Sequence, residues 1–251
     1  MRIVSYNVNG LRSAISKGFW SWLENRNIDI VCLQEVKAMP DQIGYLELEQ
    51  LGYHHYWYPA QKKGYSGVAI FTKIKPRKVH YGCGIADYDA EGRVILADFD
   101  DFSVMSVYHP SGSSGDERQA FKMKWLDDFT EFINPLIKTP LVVSGDFNIC
   151  HKPIDIHNPV SNARSSGFLP EERAWMDRFT ELGFVDTFRF VNPNPHRYSW
   201  WSYRSGARPK NLGWRIDYHF VTMQLKSKIK SADLWEQDLH SDHCPVVLEL
   251  A

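Results

Sequence analysis

Leu141-Val142-Val143-Ser144-Gly145-Asp146-Phe147-Asn148 carries an apolar run directly into a carboxylate and a carboxamide two residues apart. Started by Pro140 and stopped at Gly145, the run reads as a strand buried on both faces. An acid at the end of such a strand is costly to place there without work to do. If the chain stays extended through Asn148, strand periodicity points Asp146 and Asn148 the same way and turns Phe147 into the core. A lone Gly-Asp-x-Asn is more often a turn or a helix cap. The weight therefore falls on the rest of the chain.

The 251 residues are 43% apolar and 24% charged, without a repeat, a low-complexity tract or a charge block, which is ordinary globular composition. No linker interrupts them, so one domain over 1–251 is expected, long enough for a substantial core. Lys and Arg number 29 against 30 Asp and Glu, so net charge does not announce a nucleic-acid partner and any basic surface must be local. Cys32, Cys83, Cys150 and Cys244 are scattered, with no Cys-x-x-Cys pair, and read as free thiols of a reducing compartment. Met1 opens onto an alternating strand rather than a signal peptide, and no apolar run is long enough to span a bilayer. A soluble, cytoplasmic protein is expected.

Upstream of the central strand, residues 2–6 read as a strand ending at Asn7-Val8-Asn9-Gly10, and a helical pattern begins near Trp20. Residues 28–33 form a second buried strand that delivers Gln34 and Glu35 at its far end. Glu35 would equally suit the first turn of a helix, where an acid complements the macrodipole. Ile43, Leu46, Leu48 and Leu51 fit an amphipathic helix over 40–51. Strands are expected at 53–59, 68–72, 79–81, 94–99 and 102–108, with Asp100-Asp101 a hairpin turn. Residues 109–115 are a loop, and Asp116 then caps a long helix carrying Phe121, Trp125, Leu126, Phe129 and Ile133.

Downstream, 150–169 is a polar loop of a length more often functional than merely connecting. A helix opened by Pro170 carries Trp175, Met176, Phe179 and Leu182 to Gly183. Residues 198–204 and 211–218 bring aromatic and basic side chains together, the ingredients of a stacking surface for an opened nucleic-acid strand, although Trp201 reads as core. Strands at 229–234 and 245–250 flank Ser241-Asp242-His243.

Asn7, Asn9, Glu35, Tyr108, Asp146, Asn148, Asp217, Asp242 and His243 all sit at expected strand ends, and in α/β proteins strand ends converge on one rim. Glu35 and Asp242 offer the oxygen ligands of a hard cation such as Mg²⁺, which takes one or two carboxylates and completes its shell with water and substrate oxygens. A histidine held by a carboxylate such as Asp217 can stay protonated and donate to developing negative charge. These groups point to metal-assisted phosphoryl chemistry.

The motifs Asn7-Val8-Asn9-Gly10-Leu11-Arg12, Leu33-Gln34-Glu35-Val36-Lys37, Gly64-Tyr65-Ser66-Gly67-Val68, Glu91-Gly92-Arg93-Val94, Gly145-Asp146-Phe147-Asn148, Gly213-Trp214-Arg215-Ile216-Asp217-Tyr218 and Ser241-Asp242-His243-Cys244-Pro245 span essentially the full length. Together the chain resembles the exonuclease III and apurinic/apyrimidinic endonuclease family, within the endonuclease/exonuclease/phosphatase superfamily; any one motif alone would be weak.

The resemblance implies an α/β fold, a four-layer sandwich of two mixed β-sheets packed face to face with helices on the outside. It implies Glu35 as principal Mg²⁺ ligand, with Asn7, Asn9 and Asp242 at the metal or its waters and Mn²⁺ able to substitute. Asp146 would deprotonate the attacking water, Asn148 and Tyr108 would hold the scissile phosphate, and His243 with Asp217 would stabilise the pentavalent transition state. The implied substrate is duplex DNA with abasic sites or 3′ ends, hydrolysed to leave a 3′-hydroxyl by a monomer with no membrane partner. Trp200, Trp214 and Ile216 would form an apolar pocket for a flipped abasic sugar. Ser111, Asn162, Arg164, Ser165 and Arg204 would contact DNA beside the lesion or the 3′ end.

Departures from the family pattern bear on substrate preference. Asn9 stands where some members carry Asp, Ser111 where a longer carboxamide is common, and Trp200 where Phe is frequent, while Arg164 and Ser165 replace family residues. Two other readings stay open: a phosphatase or phosphodiesterase of the same superfamily acting on a lipid or inositol phosphate, and a non-catalytic DNA-binding scaffold. Trp200 and residues 213–218 follow the DNA-repair pattern against the first. The retained Glu35, Asp146, Asn148, Asp217 and His243 speak against the second.

Overall fold

Leu141–Asp146 is a strand with every residue buried, and its neighbours show how such a strand is built. A computed structural model describes residues 1–251. In chain order its elements are β1 (Arg2–Asn7), α1 (Leu11–Ser16), α2 (Phe19–Asn25), β2 (Ile30–Gln34), α3 (Leu46–Gln50), β3 (His54–Tyr58), β4 (Val68–Thr72), β5 (Lys78–Tyr81), α4 (Ala86–Asp89), β6 (Val94–Asp98) and β7 (Ser103–Tyr108). They continue as α5 (Asp116–Ile133), β8 (Leu141–Asp146), α6 (Pro170–Glu181), β9 (Phe184–Asp186), α7 (Thr187–Val191), β10 (Asp217–Thr222), β11 (Ile229–Leu234) and β12 (Val246–Leu250).

The strands form two six-stranded sheets, ordered β11-β12-β1-β2-β4-β3 and β5-β6-β7-β8-β10-β9. Each is mixed: β1 runs parallel to β2 and β7 parallel to β8, while the other pairs are antiparallel. Parallel neighbours need a helical crossover, supplied by α1 and α2 in one sheet and by α5 in the other. Those helices cover the outer faces and give four layers. One outer core packs Phe19, Trp22 and Leu23 against Val4, Tyr6 and Val31. The other packs Trp125, Phe129, Trp175 and Phe179 against Val143, Phe147 and Phe220.

Between the sheets lies a third core, holding Ile3, Ile30, Val104, Val142 and Val221. Strand alternation carries each of these rows toward one rim through a polar middle tier. Ile3 is followed on the same face by Ser5 and Asn7, Ile30 by Cys32 and Gln34, Val104 by Ser106 and Tyr108, Val142 by Ser144 and Asp146, and Val221, read backwards along β10, by His219 and Asp217. The middle tier is satisfied within and between the sheets: Ser106 Oγ accepts from Gln34 Nε2 of the other sheet at 3.0 Å, Ser144 Oγ bonds His219 Nδ1 on the adjacent strand at 2.7 Å, and His219 Nε2 donates across to the Val246 carbonyl at 2.9 Å. Beyond it the rim carries the site.

Several expectations are corrected. The helix over 40–51 is broken: a 3₁₀ turn over Pro40–Gln42 gives way to extended backbone at Ile43, and only Leu46–Gln50 is α-helical. Ile43 and Leu48 still reach the core, whereas Leu46 is left 64% exposed. Asp116 is the first residue of α5 rather than its cap, which is Gly115 without a side-chain bond. The chain does not stay extended through Asn148, since β8 ends at Asp146 and Asn148 is left-handed at φ 52. The short elements α1, α4, β9 and α7 fall below the length at which periodicity is legible, and β10 was legible only as an end at Asp217 because His219 interrupts its apolar row. No helix is long and apolar enough to cross a membrane, and all four cysteines are free thiols.

Candidate active site

Asn7, the last residue of β1, is fully buried, and its carboxamide nitrogen joins the two sheets. Nδ2 donates to Glu35 Oε1 and to Asp146 Oδ2, each at 2.9 Å. Its Oδ1 accepts from the Asn9 amide at 2.9 Å. Asn9 Nδ2 in turn donates to Asp242 Oδ1 at 3.0 Å. Residues from strand ends far apart in the chain thus form one hydrogen-bonded arc.

Asn9, Glu35, Lys37 and Asn148 all adopt positive φ, between 44 and 52. Such backbone is uncommon without glycine and gathers where surrounding structure holds a functional geometry. Asn148 shows the consequence: its amide donates to Asp146 Oδ1 at 2.8 Å and its carboxamide nitrogen to the His109 carbonyl at 2.9 Å. Asp146 and Asn148 therefore do converge, with Phe147 buried behind them, through a left-handed turn rather than an extended strand.

Across the rim, Asp217 opens β10 directly opposite Asp146. Its Oδ2 accepts from His243 Nδ1 at 2.9 Å and from Ser199 Oγ at 2.6 Å, while Oδ1 is buried without a partner. Burial opposes charge on His243, but the adjacent Asp217, with Asp146 and Asp242 behind it, raises its pKa and keeps the imidazole protonated. Burial pushes Asp146 up, reinforced by the Asp217 and Glu35 carboxylates and opposed by His243. Glu35 goes the other way: burial is outweighed by Lys37 and Asn7, and its pKa is lowered. Carboxylates side by side are thus split into one poised to take a proton and one held ionised. Burial, together with Glu35 and Asp146, keeps the Tyr108 hydroxyl protonated far above its ordinary range.

These groups border a pocket of about 310 Å³, lined by the polar side chains of Glu35, Tyr108, Asp146, Asn148, Asp242 and His243 and by the apolar ones of Trp200, Trp214 and Ile216. The two indoles meet edge to face with centroids 6.0 Å apart. Trp200 also donates from Nε1 to Asp242 Oδ2 at 3.0 Å, which a phenylalanine could not do. Ser111 lines the mouth and bonds Ser113 Oγ at 2.9 Å. Asn162, Arg164, Ser165 and Arg204 are not brought to the pocket: Arg164 and Arg204 are exposed, and Asn162 is occupied with the His157 and Asn158 carbonyls. Ser166 and Gly167, just beyond Ser165, form the wall instead.

Sequence reasoning missed several supports of this site. Lys37 sits 2.7 Å from Glu35 Oε2 and 2.6 Å from Asn9 Oδ1, and only its place two residues after Glu35 hinted at it. Arg93 is buried beneath Tyr108, donating to its carbonyl at 2.7 Å with the guanidinium 4.9 Å from the ring centroid. Ser199 left no sequence signal.

A divalent metal fits this donor set. Ligand atoms of Glu35, Asp146 and His243 lie within 4.8 Å of one another. A protonated imidazole has no lone pair to give, so the ligands would be oxygens. The Lys37 ammonium, held between Glu35 Oε2 and Asn9 Oδ1, shows that these oxygens already gather positive charge.

Two packed mixed sheets with an acidic, metal-competent cleft at one rim define a phosphoester-hydrolysing α/β enzyme. The chain belongs to the Endonuclease/Exonuclease/phosphatase family, whose sequence pattern matches residues 4–243. It is 46% identical over 251 residues to an exodeoxyribonuclease of Bacillus subtilis (strain 168), covering 99% of this chain and 98% of the relative. A DNA-(apurinic or apyrimidinic site) endonuclease of Dictyostelium discoideum is 40% identical, covering 98% of this chain and 69% of that protein. Among solved structures, the 3′ phosphatase NExo from Neisseria bound to a product DNA hairpin superposes with a TM-score of 0.93 at 30% identity, covering 100% of this chain and 99% of that one.

Proposed function

We propose that this chain is a Mg²⁺-dependent DNA repair nuclease, one catalytic domain over residues 1–251, that hydrolyses duplex DNA at abasic sites and at 3′ ends and leaves a 3′-hydroxyl. The observation that carries the reading is the pocket itself, where protonated His243 and the split carboxylates Glu35 and Asp146 share one cavity with the apolar surfaces of Trp200, Trp214 and Ile216. A lesion without a base is cheap to extrude, and a sugar stripped of its base presents apolar surface to those side chains. The relatives' names, an exodeoxyribonuclease and an apurinic or apyrimidinic endonuclease, support the same reading.

Glu35 would hold the metal, with Asn7, Asn9 and Asp242 at its waters. When bound, Mg²⁺ supplies positive charge to the phosphate oxygens and to the departing 3′ oxygen. Asp146, its pKa raised, takes the proton of the attacking water. Asn148 and the Tyr108 hydroxyl donate to the scissile phosphate, and His243, fixed by Asp217, donates to charge developing on the phosphorane.

The test is cleavage of two labelled duplexes with Mg²⁺, one carrying an internal abasic site and one a recessed 3′ end. Incision at the abasic site is expected. Degradation from the 3′ end alone would remove the flipped-sugar role of the pocket, and hydrolysis of neither duplex would overturn the function.

A further inference from the structure

Lys122 on α5 and Glu172 on α6 form an ion pair at 2.6 Å, and both side chains are fully buried. A buried pair of this kind adds little net stability, since apolar side chains of like volume often serve as well. Nor do the helices need it to pack. Trp175 Nε1 on α6 already donates to the Leu126 carbonyl and to Thr130 Oγ1 on α5, both at 2.9 Å, and Phe129 stacks on Phe179.

What the pair does is hold loops. Lys122 Nζ also donates to the Asn148 carbonyl at 2.8 Å. Glu172 Oε2 accepts from the backbone amides of Gly167, at 2.6 Å, and Leu169, at 3.0 Å. Gln119 extends the grip, donating to Glu172 Oε1 at 3.1 Å and accepting from Ser166 Oγ at 2.7 Å. Gly167 lies between the two edges of the pocket: a Cβ there would come 2.9 Å from the Trp214 ring and 3.1 Å from the Asn148 carbonyl oxygen. With φ at +96 the position also disfavours any side chain.

We propose that the Lys122–Glu172 pair is a positioning device that fixes the left-handed Asn148 at a set distance from the Trp214 wall, so that the carboxamide meets a phosphate whose sugar occupies the pocket. This rests on the reading of Asn148 as a phosphate-contacting group. The peptide carbonyl of Asn148 sets the plane from which its side chain departs, and the Gly167 segment is the spacer. Both are tied to one pair of charges that touches no substrate.

The test uses the full chain with Mg²⁺ on an abasic duplex, comparing the wild type, Asn148→Ala, the volume-matched double variant Lys122→Met/Glu172→Gln, and the triple variant. Glutamine keeps an acceptor for the Gly167 and Leu169 amides, while methionine removes the donor to Asn148. The double variant is expected to lose kcat by about 10-fold to 100-fold, the scale of a misplaced catalytic group, with KM and the thermal midpoint held. In the triple variant that loss should vanish, because a device acting through Asn148 has nothing left to position. Full kcat in the double variant, or losses that multiply in the triple, would overturn the proposal while leaving Asn148 in its role. Full kcat in Asn148→Ala would overturn the reading beneath it. If the double variant fails to fold by circular dichroism, Lys122→Met alone, which removes the donor to Asn148 and leaves Glu172 on the Gly167 and Leu169 amides, is read in the same way.

Discussion

Asp217 divides its oxygens unequally: Oδ2 serves both His243 and Ser199, whereas Oδ1 is buried with no partner. The charge on Oδ2 is what keeps the imidazole protonated and aimed at the pocket. His243→Asn removes the imidazolium while keeping a donor toward Asp217; kcat on an abasic duplex should fall by two orders of magnitude or more with DNA affinity unchanged, as separate single-turnover and binding measurements would show. Ser199 is a step further back, accepting from the Ile216 and Asp217 amides and donating to Asp217. Ser199→Ala deletes a hydrogen bond to a charged group, worth about 1.5–3 kcal/mol, and the expected loss in kcat is about 10-fold to 100-fold. An unchanged kcat would show that His243 alone orients the carboxylate. Such supports are silent in a sequence because serine is common and its role depends on what lies opposite.

The elements owe their site to strand alternation, which takes each inter-sheet row from aliphatic through small polar to functional residues. Gly145 pairs with Val107 where β8 lies against β7, and a Cβ there would land on the Val107 carbonyl oxygen. Gly145→Ala is accordingly expected to cost about 3 kcal/mol, the upper end of overpacking in a core, read as a lower denaturant midpoint at unchanged m-value. Retained stability would mean that the parallel pair can open without disturbing Asp146. Residues 141–146 were legible as a buried strand because both of their faces are covered. Residues 40–51 misled because Ile43 and Leu48 reach the same core from extended and helical backbone alike, so their spacing imitates a single helix.

At the scale of the whole molecule the two sheets are pinned by a neutral histidine. Burial lowers the His219 pKa from 6.5 to about 4, and its ring bridges Ser144 in one sheet and the Val246 carbonyl in the other. The unfolded chain binds this proton near pH 6.5 and the folded chain only near pH 4. Stability is therefore intact above pH 6.5 and lost as pH falls toward 4, by about 3 kcal/mol in total. His109, whose pKa burial also depresses, acts in the same direction. His219→Gln should flatten the fall of denaturation free energy between pH 6.5 and 4; an unaltered slope would remove His219 as its source. By itself the sequence determined the strands that end in polar residues, the residue types of the hydrolytic set and the family, because periodicity and motif order are carried locally along the chain. Only the tertiary structure decided that Asn7 meets Asp146 across 139 residues, that Lys37, Arg93 and Ser199 stand behind the site, that Ser166 and Gly167 rather than Ser165 line the pocket, and that Trp200 bonds Asp242. Those contacts arise where two sheets and their loops close on one rim, and no local pattern encodes which groups will face one another there.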